Sequence, residues 1–124
     1  MEFTFGIISS GLIDPLILES IYNQNIPKGE IIIVGGQVPM GRYPNLFHIP
    51  FNETIKRGWI TRKKNIITKH ARYDNIVYMH DYIFLGKGWY EGYKNFGDNF
   101  DICMNVILNN DGSRYRDWCI WDEG

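Results

Sequence analysis

Cysteine is scarce in this chain of 124 residues: Cys103 and Cys119 are the only two. They form neither a CxxC pair nor a Cys/His ligand spacing, which excludes a structural zinc site, and their apolar neighbours suit buried free thiols. No apolar run approaches the roughly 20 residues needed to cross a bilayer. The first ten residues have neither the charged start nor the long apolar centre of a signal peptide, so a cytoplasmic protein is expected. Charge of one sign is also missing. The net charge of -1 removes the electrostatic argument for nucleic acid or an anionic membrane. No repeat, low-complexity tract or Pro/Gly/Ser linker divides the chain, and its length suits one compact domain.

What is present is ordinary globular composition, 44% hydrophobic and 22% charged, with one local excess. Lys56, Arg57, Arg62, Lys63, Lys64, Lys69 and Arg72 crowd one segment. Such a segment is either a solvated helix face or an anion site.

The order of elements is legible from period and punctuation. "FTFGII" reads as a strand that ends at the Ser9-Ser10-Gly11 turn. "DPLILESIYNQ" follows, with Asp14 as N-cap, Pro15 at the first helical position, and Ile17, Leu18 and Ile21 on one face. "EIIIVGG" is a β-branched run, apolar on both faces, as in the interior of a parallel sheet. A loop then leads to a short strand, "LFHI". A helix starts near Thr61 with Ile67 and Ala71 on one face, and "NIVYM" is the next buried strand. Strands alternating with helices predict an α/β fold with ligands at the carboxyl ends of the strands. In the last third, "GWYEGYKNFGD" predicts a helix with Trp89, Tyr93 and Phe96 on one face. "DICMNVIL" and "SRYRDWCI", joined by "NNDG", predict an antiparallel hairpin.

The strand ends gather residues that could carry chemistry. Ser9 and Ser10 follow the first, Gly35, Gly36 and Gln37 the second, and His80 and Asp81 the fourth; Lys63, Lys64 and Asn65 lie early in the helix before it. Hydroxyls and glycine backbone can line a nucleoside, and a basic helix start can hold a diphosphate. A carboxylate beside those phosphates can hold a divalent cation. Together these features describe a nucleotide-diphosphate crevice. The bland readings are plain turns at Ser-Ser-Gly and Gly-Gly, a turn cap or lysine partner at Asp81, and a satisfied polar group at His80. His48 and His70 are expected to be structural, and the aromatics at helical spacing to be core.

"ILESIYNQNIPKGEIIIVGG" and "KKNIITKHARYDNIVYMHDYI" resemble the nucleotide-sugar domain of family 2 glycosyltransferases, which have the GT-A fold. The resemblance covers residues 3 to about 85. It implies a Rossmann-like, mostly parallel sheet flanked by helices, continued here by the C-terminal antiparallel hairpin. One domain spans 1–124, with residues 1–85 as the nucleotide-sugar-binding half; residues 86–124 hold the helix and hairpin, and the family's acceptor half is largely missing. By the same resemblance Ser9, Ser10, Gly35, Gly36, Lys63, Lys64, Asn65, His80 and Asp81 bind a nucleoside-diphosphate sugar, a UDP-sugar first among them. His80-Asp81-Tyr82 lies on the family's D-x-D motif, so Asp81 and His80 are expected to ligate Mn²⁺ or Mg²⁺. The chain departs from the family at Tyr82, and at Gly35 to Gln37 where many members carry a base-reading Asp.

The implied reaction is sugar transfer to a hydroxyl acceptor, with Asp117 and Asp122 as candidates for the general base by elimination, and Glu123 beside them. Two other readings stand: a non-catalytic nucleotide-binding module, and a structural α/β domain. Under each, Tyr115, Trp118 and Trp121 on an uncovered hairpin predict a homo-oligomer.

Overall fold

The structure, a computed structural model, describes residues 1–52 and 60–97. The expected hairpin therefore lies outside the described residues, as do Asp117, Asp122, Glu123 and both cysteines. The described elements run β1 (Phe3–Ile8), α1 (Pro15–Tyr22), β2 (Gly29–Val34), β3 (Leu46–Ile49), α2 (Ile60–His70), β4 (Asn75–His80) and α3 (Trp89–Phe96). All four strands are parallel, in the order β3-β2-β1-β4. This is the α/β arrangement expected from the alternation of elements, and the all-parallel sheet of the described residues is consistent with the Rossmann-like fold that the resemblance implied.

Local chemistry explains the boundaries. Asp14 caps α1, its carboxylate accepting from the Leu16 amide at 2.9 Å, and Pro15 begins the helix where no amide hydrogen is needed. Ile17, Leu18 and Ile21 are buried, and each contributes about 1.5–3 kcal/mol through burial. α3 is preceded by Gly88 at the N-cap, which has no capping side chain. Gln24, in the turn after α1, serves instead: its Oε1 accepts from the Tyr90 amide at 3.0 Å while its Nε2 donates to Gly86 O.

The core has two layers. Phe3, Phe5, Ile7, Ile31, Ile33 and Met79 form one sheet face, packed on α1 and on Tyr90 of α3. Ile8, Ile32 and Val34 form the other, packed on Ile67 of α2. Period-two alternation along β1 and β2 thus buries both faces, which is why those strands read as continuous apolar runs. Gly6 is required for the second layer: a Cβ there would come within 2.5 Å of the Ile67 side chain. β4 is less buried than its sequence suggested, with only Met79 fully inside, because it borders β1 on one side and ends the described sheet. In α3 the core-facing residue is Tyr90, with Trp89 and Tyr93 packed beside it, whereas Phe96, in the last turn, is 66% exposed.

The chain moves across the sheet one way from β1 to β3, then doubles back to β4 on the far side of β1. Right-handed crossovers in opposite directions require helices on opposite faces, as α1 and α2 are. The strand order thus reverses between β1 and β4, while the helices that follow these two strands, α1 and α3, pack on the same sheet face.

Candidate functional site

Register fixes what meets at the carboxyl ends of β1 and β4. Ile8 pairs with Val34 on one side and His80 on the other, so Ser9, Gly35 and Asp81 follow at one level. The Ser9 hydroxyl donates to Asp81 Oδ2 at 2.7 Å, joining the two strand ends across the reversal in strand order. Ser9 is 3% exposed and its other polar atoms are also engaged. Its amide donates to Val34 O at 3.2 Å, its Oγ accepts from the Gly11 amide at 3.2 Å, and its carbonyl accepts from Lys63 Nζ at 2.9 Å. Gly11 O, 3.0 Å from Oγ, competes with Asp81 for the single hydroxyl proton, and the charged acceptor at shorter range is the stronger.

Gly36 permits this packing. It adopts φ 62°, and a Cβ there would fall 2.5 Å from both Ser9 Oγ and Gly11 O. The loops after β1 and β2 are stitched together by a parallel bridge between Leu12 and Gln37, where Gln37 donates to Gly11 O and Ile13 donates to Gln37 O. Gly35 is buried against β3, its amide donating to Ile49 O and its carbonyl 3.0 Å from His48 Nε2.

Lys63 is 4% exposed. A buried ammonium is costly unless partnered. Here the Ser9 carbonyl and the Phe51 ring, 5.0 Å away, both compensate it. Of the sequence-derived phosphate candidates, Lys63 therefore works from behind Ser9. Lys64 is half-buried with its Nζ 5.7 Å over the Tyr78 ring, and Asn65 is exposed. Ser10 and Gly11 are exposed.

At the end of β4, the His80 ring stacks on Tyr82, centroids 5.4 Å apart and planes at 11°. Asp81 is half-buried, and its Oδ1 has no hydrogen bond among the described residues. The described residues contain no cluster of three or more His, Cys, Asp or Glu able to hold a metal. A cation here would take one protein carboxylate and draw its other ligands from a phosphorylated molecule and water, with the expected His80 ring instead stacked on Tyr82. That donor set suits Mg²⁺ or Mn²⁺ bound together with phosphates.

His48 and His70 are tied to backbone carbonyls, the latter through Nδ1 to Ile66 O at 2.9 Å, in keeping with structural roles. Sequence reasoning passed over Gly11 as a partner of Ser9, and a second buried polar group at the opposite end of the sheet. There Glu30, 2% exposed, accepts from the Thr4 hydroxyl at 2.7 Å, the Arg72 amide at 2.6 Å and Arg72 Nε at 3.0 Å. Burial alone would raise this carboxyl; the Arg72 amide, the Thr4 hydroxyl and the Arg72 guanidinium together outweigh it and hold the carboxyl below its ordinary value. The signal was a lone Glu heading an apolar strand, in phase with Ile32 and Val34.

No protein-family model matches the chain, and neither a curated protein nor a solved structure is similar enough to count as a match.

Proposed function

We propose that the chain is a glycosyltransferase-like domain that binds a nucleoside-diphosphate sugar and a divalent cation above the carboxyl ends of β1 and β4, and passes the sugar to a hydroxyl acceptor. The observation that carries this reading is the Ser9–Asp81 hydrogen bond at the strand-order reversal, the position where open α/β sheets take their ligands. A carboxylate with one oxygen anchored and the other unengaged suits a cation shared with phosphates. When bound, a divalent cation supplies neutralisation of the departing diphosphate. The chain's own part is to hold Asp81 in place, to present Lys64 and the exposed Ser10-Gly11 backbone toward phosphate and nucleoside, and to accept the acceptor proton on a carboxylate. Asp117 and Asp122 remain the candidates for that last role.

One observation favours a second reading, nucleotide binding without transfer: among the described residues Asp81 is the only carboxylate that directly follows a strand. Thermal melting with UDP, GDP, CDP and dTDP, each with and without Mn²⁺, tests both. A ligand bound only by the native state at about 100 times its Kd adds about 2.7 kcal/mol. Stabilisation by one nucleotide that needs Mn²⁺ and vanishes in Asp81→Ala is expected. No shift with any nucleotide at millimolar concentration would refute the site. Turnover of the matching nucleotide-sugar, lost in Asp117→Asn or Asp122→Asn, separates the enzyme from the module.

A further inference from the structure

The hydroxyl of Ser9 is buried, yet it sits where a ligand-contacting serine was expected. Its proton is committed to Asp81 Oδ2 at 2.7 Å, and its lone pairs face the Gly11 amide at 3.2 Å. The residue itself is fixed by its amide on Val34 O, by the buried Lys63 ammonium on its carbonyl, and by a glycine at position 36 whose missing Cβ leaves Oγ its place. A side chain so held can turn neither toward solvent nor toward a ligand. The Asp81 carboxylate, by contrast, is half-buried and has Oδ1 unengaged among the described residues. Carboxylates that ligate metals are themselves hydrogen-bonded, and these outer partners set the direction of the ligating oxygen.

We infer that Ser9 is a positioning residue: it clamps Asp81 Oδ2 so that Oδ1 is aimed at the cation, and it makes no contact with the nucleotide. This rests on the reading of the site proposed above. Lys63 extends the same device, since its ammonium grips the carbonyl of the clamp. Gly11 O completes it, as an alternative acceptor that keeps the Ser9 proton satisfied whenever the Asp81 carboxylate shifts.

The test is a double-mutant cycle on the whole chain, with UDP affinity measured in Mn²⁺ and again in EDTA, for wild type, Ser9→Ala, Asp81→Asn and the double variant. The quantity read is the ratio of the two affinities, which a general loss of stability does not move. Removing an outer partner costs about 10–100-fold in metal affinity. The expected result is therefore a drop of that order in the Mn²⁺ advantage for Ser9→Ala, an unchanged affinity in EDTA, and no further change when Ser9→Ala is added to Asp81→Asn. Ser9→Cys, of similar size but a weaker donor, should fall between wild type and Ser9→Ala, and it serves if the alanine variant folds poorly. A loss in EDTA, or a loss that persists in the Asp81→Asn background, would make Ser9 a direct contact and overturn the inference. An unchanged Mn²⁺ advantage in Ser9→Ala would overturn it too, while leaving the nucleotide site intact. No Mn²⁺ advantage in wild type would remove the site and the clamp together.

Discussion

Replacing Glu30 by glutamine tests whether the buried polar cluster at the amino end of the sheet stabilises the fold. The carboxylate uses Oε2 for two donors, the Thr4 hydroxyl and the Arg72 amide, and Oε1 for Arg72 Nε. Glutamine keeps the shape but has one acceptor oxygen, so its amide hydrogens must face either the guanidinium or the other two donors. Hydrogen bonds to a charged group are worth about 1.5–3 kcal/mol each, and a buried donor left unpaired costs about 1–3 kcal/mol. The Arg72 side chain is 60% exposed and can turn to water, which discounts its share. A loss of about 2–3 kcal/mol is expected, or roughly 10 °C in Tm for a chain of this size. The sign of the pH dependence follows from the lowered carboxyl. A group held below its unfolded value stabilises fully above that value, and the stabilisation fades as pH falls through the folded one. Urea unfolding followed by tryptophan fluorescence should show the full gap between wild type and Glu30→Gln at neutral pH, narrowing once the pH drops below 4.5. Equal stabilities at neutral pH, or a gap that widens in acid, would refute the reasoning.

Three further outcomes are expected. Gly6→Ala drives a methyl into Ile67 and should cost about 1–3 kcal/mol in denaturant unfolding, and less than that when introduced into an Ile67→Ala background; full stability in Gly6→Ala would contradict the close packing of α2. Tyr22 has its phenol pushed up to about 12, first by burial and then by the neighbouring Tyr43 charge, so the stability it contributes is complete below pH 10 and fades as pH climbs toward the folded value. An alkaline titration of the tyrosinate band should show a late step that disappears in Tyr22→Phe, and a titration unaltered by that change would count against it. Self-association is the last: a sizing column should elute the chain above its 14.6 kDa mass, and a monomer at every concentration would exclude the aromatic C-terminal third as an interface.

The strands and helices were legible because their signals are local. Asp14-Pro15 announces α1, and the unbroken run Ile31 to Val34 announces a strand covered on both sides. The chemistry at the strand ends was legible as a set of residue types, but the partnerships were not. Nothing in Ser9 or Asp81 alone says that their side chains meet; that follows from the register of β1 against β4. The burial of Lys63 was hidden for the same reason, since a basic run reads as solvated until a helix is rotated onto a sheet. Glu30 was absorbed into an apolar strand because its partners, Thr4 and Arg72, are 26 and 42 residues away. The rotation of α3, which buries Tyr90 and exposes Phe96, depends on Gln24 setting its start, a contact across 66 residues.

The doubling-back of the chain also has a consequence for how the candidate site comes into being. Ser9 and Asp81 are separated by 72 residues, and the bond between them closes a loop of more than half the chain. Contacts this remote in sequence form only after the chain between has lost most of its freedom, and they slow folding. The first βαβ unit, with its own apolar layer and its stitched loops, can organise from neighbouring segments. The candidate site cannot: during synthesis its two halves emerge at opposite ends of the described fold, and it exists only once β4 has docked against β1. Slow or incomplete docking of that strand would leave the candidate site unassembled while keeping most of the helix and much of the sheet in place.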